Sequence, residues 1–310
     1  MKAEAVGRKL IKAINQIINM AILSVILLMI AYAGYALWDA DQLHSMADRS
    51  HYAVYKPSVE DEGKSFMELQ AINDEVIGWL TVYGTHIDYP VTHGPDNMKY
   101  INTTADGRYS LIGSIFLDCG NKRDFSDFNN ILHGHHMARN MMFGELGTFA
   151  EKKVFDAHEY GSLYFSGKYH GVEFFAFLHD DAYNNAIYTP GVTEKNRQGY
   201  LDYILTHAMY TRDIGVTTDD NIVLLSTCSS GSTNGRDLLI GRITDNLFED
   251  PFTKKQTDDG TDQTSEGNYY FKDFLPLIIL LAALLIVLIL VILHRRKNNK
   301  KELMKKELKK

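Results

Sequence analysis

I-V-L-L-S-T-C-S-S-G-S-T-N-G-R-D-L-L-I-G-R, residues Ile222 to Arg242, is two apolar runs separated by a polar loop. The first run, Ile222 to Leu225, ends in Ser226-Thr227-Cys228. The loop Ser229 to Gly235 holds two glycines and no large apolar residue, and Arg236 precedes the second run, Leu238 to Ile243. Short apolar runs joined by turn-forming residues predict neighbouring strands. Cys228 then ends one strand and Arg236 begins the next, at one mouth. A guanidinium favours thiolate, and a nearby donor can hold a developing oxyanion, so the pair suits nucleophilic acyl chemistry. A structural cysteine and a solvated arginine fit these residues equally well, and the stretch alone leaves both readings open.

The chain of 310 residues is not globular at its ends. No charge falls between Ala13 and Trp38, and none between Phe274 and Leu293. About 20 apolar residues cross the hydrocarbon core as a helix, so both segments predict transmembrane spans. Lys2, Arg8, Lys9 and Lys12 against Glu4 give the first flank +3. Nine basic residues against Glu302 and Glu307 give the last flank +7. Basic flanks stay cytoplasmic, which places both termini inside and the intervening residues outside. With a total of −7, the outer part carries −17, a poor match for nucleic acid. Ala31-Tyr32-Ala33 fits a signal-cleavage pattern. The apolar stretch exceeds a usual signal core, which favours an uncleaved anchor.

Between the spans the pattern is mostly β. Apolar runs at Val76–Val82, Ile87–Val91, Ser114–Asp118 and Asn130–His133 are separated by turn residues. Leu163–Phe165 and Val172–Leu178 predict a hairpin. Helical spacing appears in Asn140–Phe149 and in Glu194–Tyr210, the latter inserted before Ile222. Several short strands with sparse helices indicate an antiparallel barrel or sandwich. The expected division is a basic N-terminus (1–13), a transmembrane helix (14–38), a juxtamembrane helical segment (39–64) and a globular domain (65–248). A polar linker (249–273), a second transmembrane helix (274–293) and a basic tail (294–310) follow.

Among twelve histidines only His133, His135 and His136 cluster. On a strand His133 and His135 share a face while His136 points away, and no cysteine or carboxylate completes a zinc motif. No metal or other cofactor is expected. A histidine at a strand end beside Gly134 can pass protons near neutral pH. Gly231 to Gly235 lacks the lysine of a phosphate-binding loop, and its serines sit in no nucleophile elbow. The two cysteines, Cys119 and Cys228, could form a disulfide outside the cell, but a domain this size needs no staple.

L-L-S-T-C at Leu224–Cys228, with Arg236 eight residues on, resembles the active-site signature of sortases, the cysteine transpeptidases of Gram-positive envelopes. The resemblance to class B runs in order through residues 65 to 245. N-D-E-V-I-G-W-L (Asn73–Leu80), I-D-Y-P-V (Ile87–Val91) and G-S-I-F-L-D (Gly113–Asp118) carry it first. D-F-S-D-F-N-N (Asp124–Asn130), G-H-H-M (Gly134–Met137) and M-F-G-E-L (Met142–Leu146) continue it. The helix at Glu194–Tyr210 is similar to the long class B insertion. The implied fold is a closed β-barrel of about eight strands with N-terminal helices. The implied nucleophile is Cys228, the acid/base His135, which directly follows the glycine, and the oxyanion-stabilising arginine Arg236. Ser226 and Thr227 become candidate substrate contacts.

His133 departs from the family, whose members usually carry an aromatic or small apolar residue there. A C-terminal membrane helix is more like pilus-assembling sortases than housekeeping class B enzymes. Asp250-Pro251-Phe252 is similar to the lid tripeptide of class C enzymes but lies after the last strand, where it cannot serve as that lid. The implied activity is cleavage of a C-terminal sorting motif on a surface protein or pilin through a thioacyl-enzyme. Transfer follows to an amine from a peptidoglycan precursor or a pilin lysine, at the outer surface of the lipid bilayer. A hydrolytic cysteine protease or amidase and a non-catalytic membrane-tethered assembly protein are the competing classes.

Overall fold

The computed structural model describes residues 2–58, 63–229 and 233–253. Met1–Trp38 separates from a compact unit, Asp39–Thr253. The first helix, α1, runs Lys2–Ala47. Within it Val6–Asp39 is long and apolar enough to cross a membrane, and it alone qualifies among the described residues. The second expected span, 274–293, lies outside them.

The described part of the juxtamembrane region is helical over most of its length, in several pieces. Residues 39–47 contain neither glycine nor proline, so nothing breaks α1 where the apolar run ends. Asp48 stops it: its backbone is extended, and its carboxylate accepts the Ser50 N–H at 2.7 Å. Two short 3-10 turns follow, Arg49–His51 and Ala53–Tyr55, and then helix α2, Lys64–Ile72. Among the described residues, 39–58 are thus mainly the end of α1 and two 3-10 turns, and α2 begins at Lys64.

The strands are β1 Val76–Val82, β2 Asp88–Thr92, β3 Ile115–Leu117, β4 Asn129–His133, β5 Tyr160–Phe165 and β6 Lys168–Asp181. A two-residue β7, Tyr210–Thr211, precedes β8, Asn221–Cys228, and β9, Gly235–Thr244. Eight close a barrel in the order β5-β1-β2-β3-β4-β8-β9-β6, with β6 pairing back onto β5; β7 adds to β6. The purely antiparallel expectation fails at two joints, because β2 pairs β3 and β4 pairs β8 in parallel. Parallel neighbours need long crossovers, and both joints have one.

The apolar run that opened the reading is a strand buried on both faces, which is why it shows no alternation. Val223 and Leu225 enter one core with Leu132, Phe177 and Leu239. Ile222 and Leu224 enter another with Ile131, Leu178, Leu238 and Ile240, covered by helix α4, Arg197–His207. Each fully buried side chain of this kind contributes roughly 1.5–3 kcal/mol.

Two helix expectations shrink. Glu194–Tyr210 resolves into a 3-10 turn at Glu194–Asn196, α4, and then β7. Sheet pairing takes the C-terminal part: Met209 N–H donates to Phe177 O and Arg212 N–H to Phe175 O. Asn140–Phe149 is not one helix, since Asn140 and Met142 have positive φ. It becomes 3-10 turns at Ala138–Asn140 and Leu146–Ala150, followed by helix α3, Lys152–Ala157. Phe143 explains the break. Its ring packs under Gly134, where a Cβ would lie 2.6 Å away, and its N–H donates to His135 O at 3.1 Å. The Asp250-Pro251-Phe252 tripeptide packs on the β1–β2 turn: Phe252 covers Gly84 and stacks on His158 at 5.0 Å.

Candidate active site

Cys228 is the last residue of β8, and the β8–β9 ladder sets it directly opposite Arg236. On the other side β4 runs parallel, with His133 opposite Ser226. Past the end of β4 the connection holds: Gly134 N–H donates to Ser226 O at 3.1 Å, and Thr227 Oγ1 donates to Gly134 O at 2.8 Å. Extended two residues past its last pair, this register aligns His135 with Cys228. Residues 93 apart in sequence are thus joined by one parallel pairing.

Strand alternation sorts these residues by face. Cys228 and Ser226 continue the row of Ile222 and Leu224, and Arg236 continues that of Leu238 and Ile240. Thr227 and Asp237 continue the opposite rows of Val223, Leu225 and Leu239, toward the barrel interior. Ser226 and Thr227 are both buried, at 3% and 2% exposure, and both hydroxyls are engaged.

His135 is oriented by the backbone. Its Nε2 lies 2.9 Å from Ile101 O. A carbonyl only accepts, so Nε2 carries the hydrogen and Nδ1 is the nitrogen left for proton exchange. The Ile101 turn is itself clamped by Gly113 (φ +61°), where a Cβ would stand 2.3 Å from Tyr100 O and 2.5 Å from Ile101 O. Only glycine permits that approach in that conformation.

Arg236 is half-buried, and its Nη1 donates to Gly235 O at 3.0 Å. Asp180 faces it across the β6–β9 ladder, but that carboxylate is occupied by Asn184, Tyr203 and the Asp181 N–H. Among the described residues no carboxylate pairs with Arg236, and of its donors Nη1 alone is hydrogen-bonded. Cys119 and Cys228 are both free thiols and both exposed.

No protein-family model matches the chain. Sortase B of Staphylococcus aureus is 31% identical over 183 residues, 57% of this chain and 74% of that one. The chain belongs to the sortase B family. As a sortase it is a cysteine transpeptidase. Among solved structures, sortase B from the type II pilus of Streptococcus pneumoniae is 45% identical with a TM-score of 0.51. That match covers 58% of this chain and 98% of the other. A Streptococcus pyogenes class B sortase involved in pilus biogenesis is 40% identical with a TM-score of 0.54, covering 59% and 99%.

The sortase also brings up residues that carried no signal in the sequence. Tyr188, in the loop after β6, shares a 2.6 Å hydrogen bond with Ser226 Oγ. Burial pushes its phenol up to about 12, a shift that the Ser226 bond and Arg236 partly offset, so it remains a neutral hydrogen-bonding group. Its ring lies parallel to His133, with centroids 6.2 Å apart. His133, the family outlier, is held by Asp118 at 3.1 Å, and Asn97 also donates to that carboxylate. No motif could announce Tyr188, because its place depends on how a long loop returns over β8.

This network predicts a pH dependence. Burial opposes ionisation of Asp118, but hydrogen bonds from His133, the Gly120 N–H and Asn97 outweigh it and hold the carboxyl below its ordinary value. A carboxyl lowered on folding stabilises the fold above its unfolded value of about 3.9, and loses that contribution as pH falls through the lower folded value. Asp118→Asn is expected to cost on the order of 1–3 kcal/mol at pH 7. The cost should shrink at pH 3 and below. Urea unfolding midpoints of both proteins across this range check it; a pH-independent difference would rule out an ionised Asp118 as the cause.

Proposed function

We propose that this sortase is a membrane-tethered pilus-type enzyme in which Cys228, His135 and Arg236 carry the reaction. Support comes from the register: Cys228 pairs with Arg236 on β9, and Gly134, the residue before His135, bonds Ser226 and Thr227 of β8. Cys228 thiolate attacks the carbonyl of a sorting motif. Arg236, with a backbone N–H, holds the oxyanion, and His135 as imidazolium protonates the leaving amine. An incoming amine then resolves the thioester, its proton passing to His135, and a new amide forms. Ser226, on the Cys228 face, is the candidate contact for the motif, while Thr227 on the opposite face ties the strand end to Gly134.

The pilus role is supported by identity. The two pilus-associated structures are 45% and 40% identical, against 31% for the Staphylococcus aureus enzyme. A pilin lysine is accordingly the proposed acceptor, and pilins with a C-terminal sorting motif the donors. Val6–Asp39 supplies one tether to the bilayer, with the N-terminus cytoplasmic and the barrel outside. The apolar segment 274–293 supplies the second. Sharing a surface raises the effective concentration of enzyme and substrate.

Mass spectrometry of surface polymers from cells with and without the gene tests the assignment. Loss of inter-subunit isopeptide bonds is the expected result. Intact polymers together with free, motif-truncated monomers missing only in the deleted strain would point to hydrolysis instead.

A further inference from the structure

Beside the strand that carries Cys228 lies an open cleft of about 640 Å³, whose polar lining residues are His136, Thr148, Glu151, His179, Ser229 and Asp237. It runs from the β6–β9 edge to Ser229 and His136, the residues that directly follow Cys228 and His135. Asp237 is the group to explain. It is 3% exposed, on the barrel-facing row of β9, yet it is a carboxylate beside the apolar Leu239 row. Its Oδ1 accepts from His179 Nδ1 at 2.6 Å. Among the described residues nothing donates to Oδ2. That oxygen meets Gly147 instead, where a Cβ would stand 2.9 Å away, so the glycine keeps the carboxylate uncovered. His179 is 44% exposed in its side chain, and its Nε2 is left without a protein partner among the described residues.

A buried carboxylate orienting an accessible imidazole is the arrangement of a general base. An additional carboxylate, Glu151, stands at the rim, with its Oε2 paired to Lys153 at 2.9 Å, so an incoming ammonium would displace or share that partner. The geometry points to this cleft as the acceptor-amine site of the second half-reaction, taking a primary ammonium on a flexible tether, with His179 its first base. The inference rests on the transpeptidase reading above.

Alkylammonium groups are protonated near neutral pH and cannot attack a thioester. Asp237 Oδ2 and Glu151 attract the cation, and His179 Nε2 takes one proton, leaving the neutral amine in the cleft. The amine moves along to Cys228 and attacks the thioester carbonyl, forming the C–N bond. The attacking nitrogen passes its second proton to His135, and the tetrahedral adduct expels Cys228 as thiolate. The amide and the thiolate–imidazolium pair result, and His179 returns its proton to water. Strand alternation then gives donor and acceptor separate approaches: the donor on the Ser226–Arg236 face, the amine from the barrel-facing side.

The test needs no knowledge of the sorting motif. Full-length protein in detergent micelles is acylated with p-nitrophenyl acetate, and S-acetyl-Cys228 is located by mass spectrometry. Aminolysis is then followed against Nα-acetyl-lysine N-methylamide and, separately, triglycine amide. His179→Gln and Glu151→Gln are expected to raise the half-saturating amine concentration about tenfold and threefold. Transfer at saturation should fall for His179→Gln, and stay within about twofold of wild type for Glu151→Gln. Glu151 is exposed, so that variant keeps the test valid if His179→Gln does not fold. Saturation by the lysine derivative alone assigns a side-chain amine, and by triglycine alone an α-amine. Unchanged half-saturation in both variants, or linear dependence on amine in wild type, overturns the inference. Absence of S-acetyl-Cys228 in wild type counts against the transpeptidase assignment rather than against this site.

Discussion

Cys228→Ala is expected to abolish acyl transfer, by roughly 10⁴-fold or more, while leaving the fold intact. The size follows from the proposed role: when a nucleophile is deleted, the residual rate is that of binding and oxyanion stabilisation alone. The intact fold follows from position. Cys228 is exposed at a strand end, and substitutions at such sites usually change stability by no more than about 0.5 kcal/mol. Its backbone pairing with Arg236 survives truncation to alanine. Two measurements check this. Surface polymers should vanish from cells carrying the variant, and its thermal midpoint should match wild type. A thiol probe should then label only Cys119. Full polymer assembly by this variant would remove Cys228 from the mechanism, while a lowered midpoint would leave the loss of activity unexplained by chemistry.

Arg236→Lys should lower kcat by about 10²–10³ with little change in KM, a size typical of losing one oxyanion donor. The charge is retained, so an effect this large would come from geometry. Arginine offers a planar fork with fixed donors, of which Nη1 is committed to Gly235 O. Lysine can replace only one direction at a time, and its strongly hydrated ammonium resists the desolvation a closed mouth demands. Steady-state kinetics on the acylation step read the split between kcat and KM. Activity within threefold of wild type would mean that Arg236 contributes only its charge.

Much of this architecture was legible because its elements repeat local rules. The β8–loop–β9 unit announced itself through two apolar runs and a polar turn, and Gly134-His135 through the ordered family motifs. What stayed hidden depends on contacts between distant segments. The parallel pairing of β4 with β8 leaves no local trace, so an antiparallel barrel was the natural expectation. The stretch from Asn140 to Phe149 has helical spacing, but Phe143 is drawn under Gly134 and the backbone turns with it. Asp237 reads as an ordinary charge after Arg236. Only strand parity and its bond to His179, 58 residues away, show it facing the cleft.

The parallel joint between β4 and β8 also sets the order in which the proposed catalytic residues are brought together. His135 is made first and waits through the hairpin, α4 and β7 before its partner strand exists. On the proposed roles, a chain that ends or stalls before Cys228 holds the acid/base group with no nucleophile, and one that stops before Arg236 holds the thiol without its cation. Long-range closures of this kind form late in folding. The three proposed groups therefore meet only once β9 has paired with β8, later than any one of them is made.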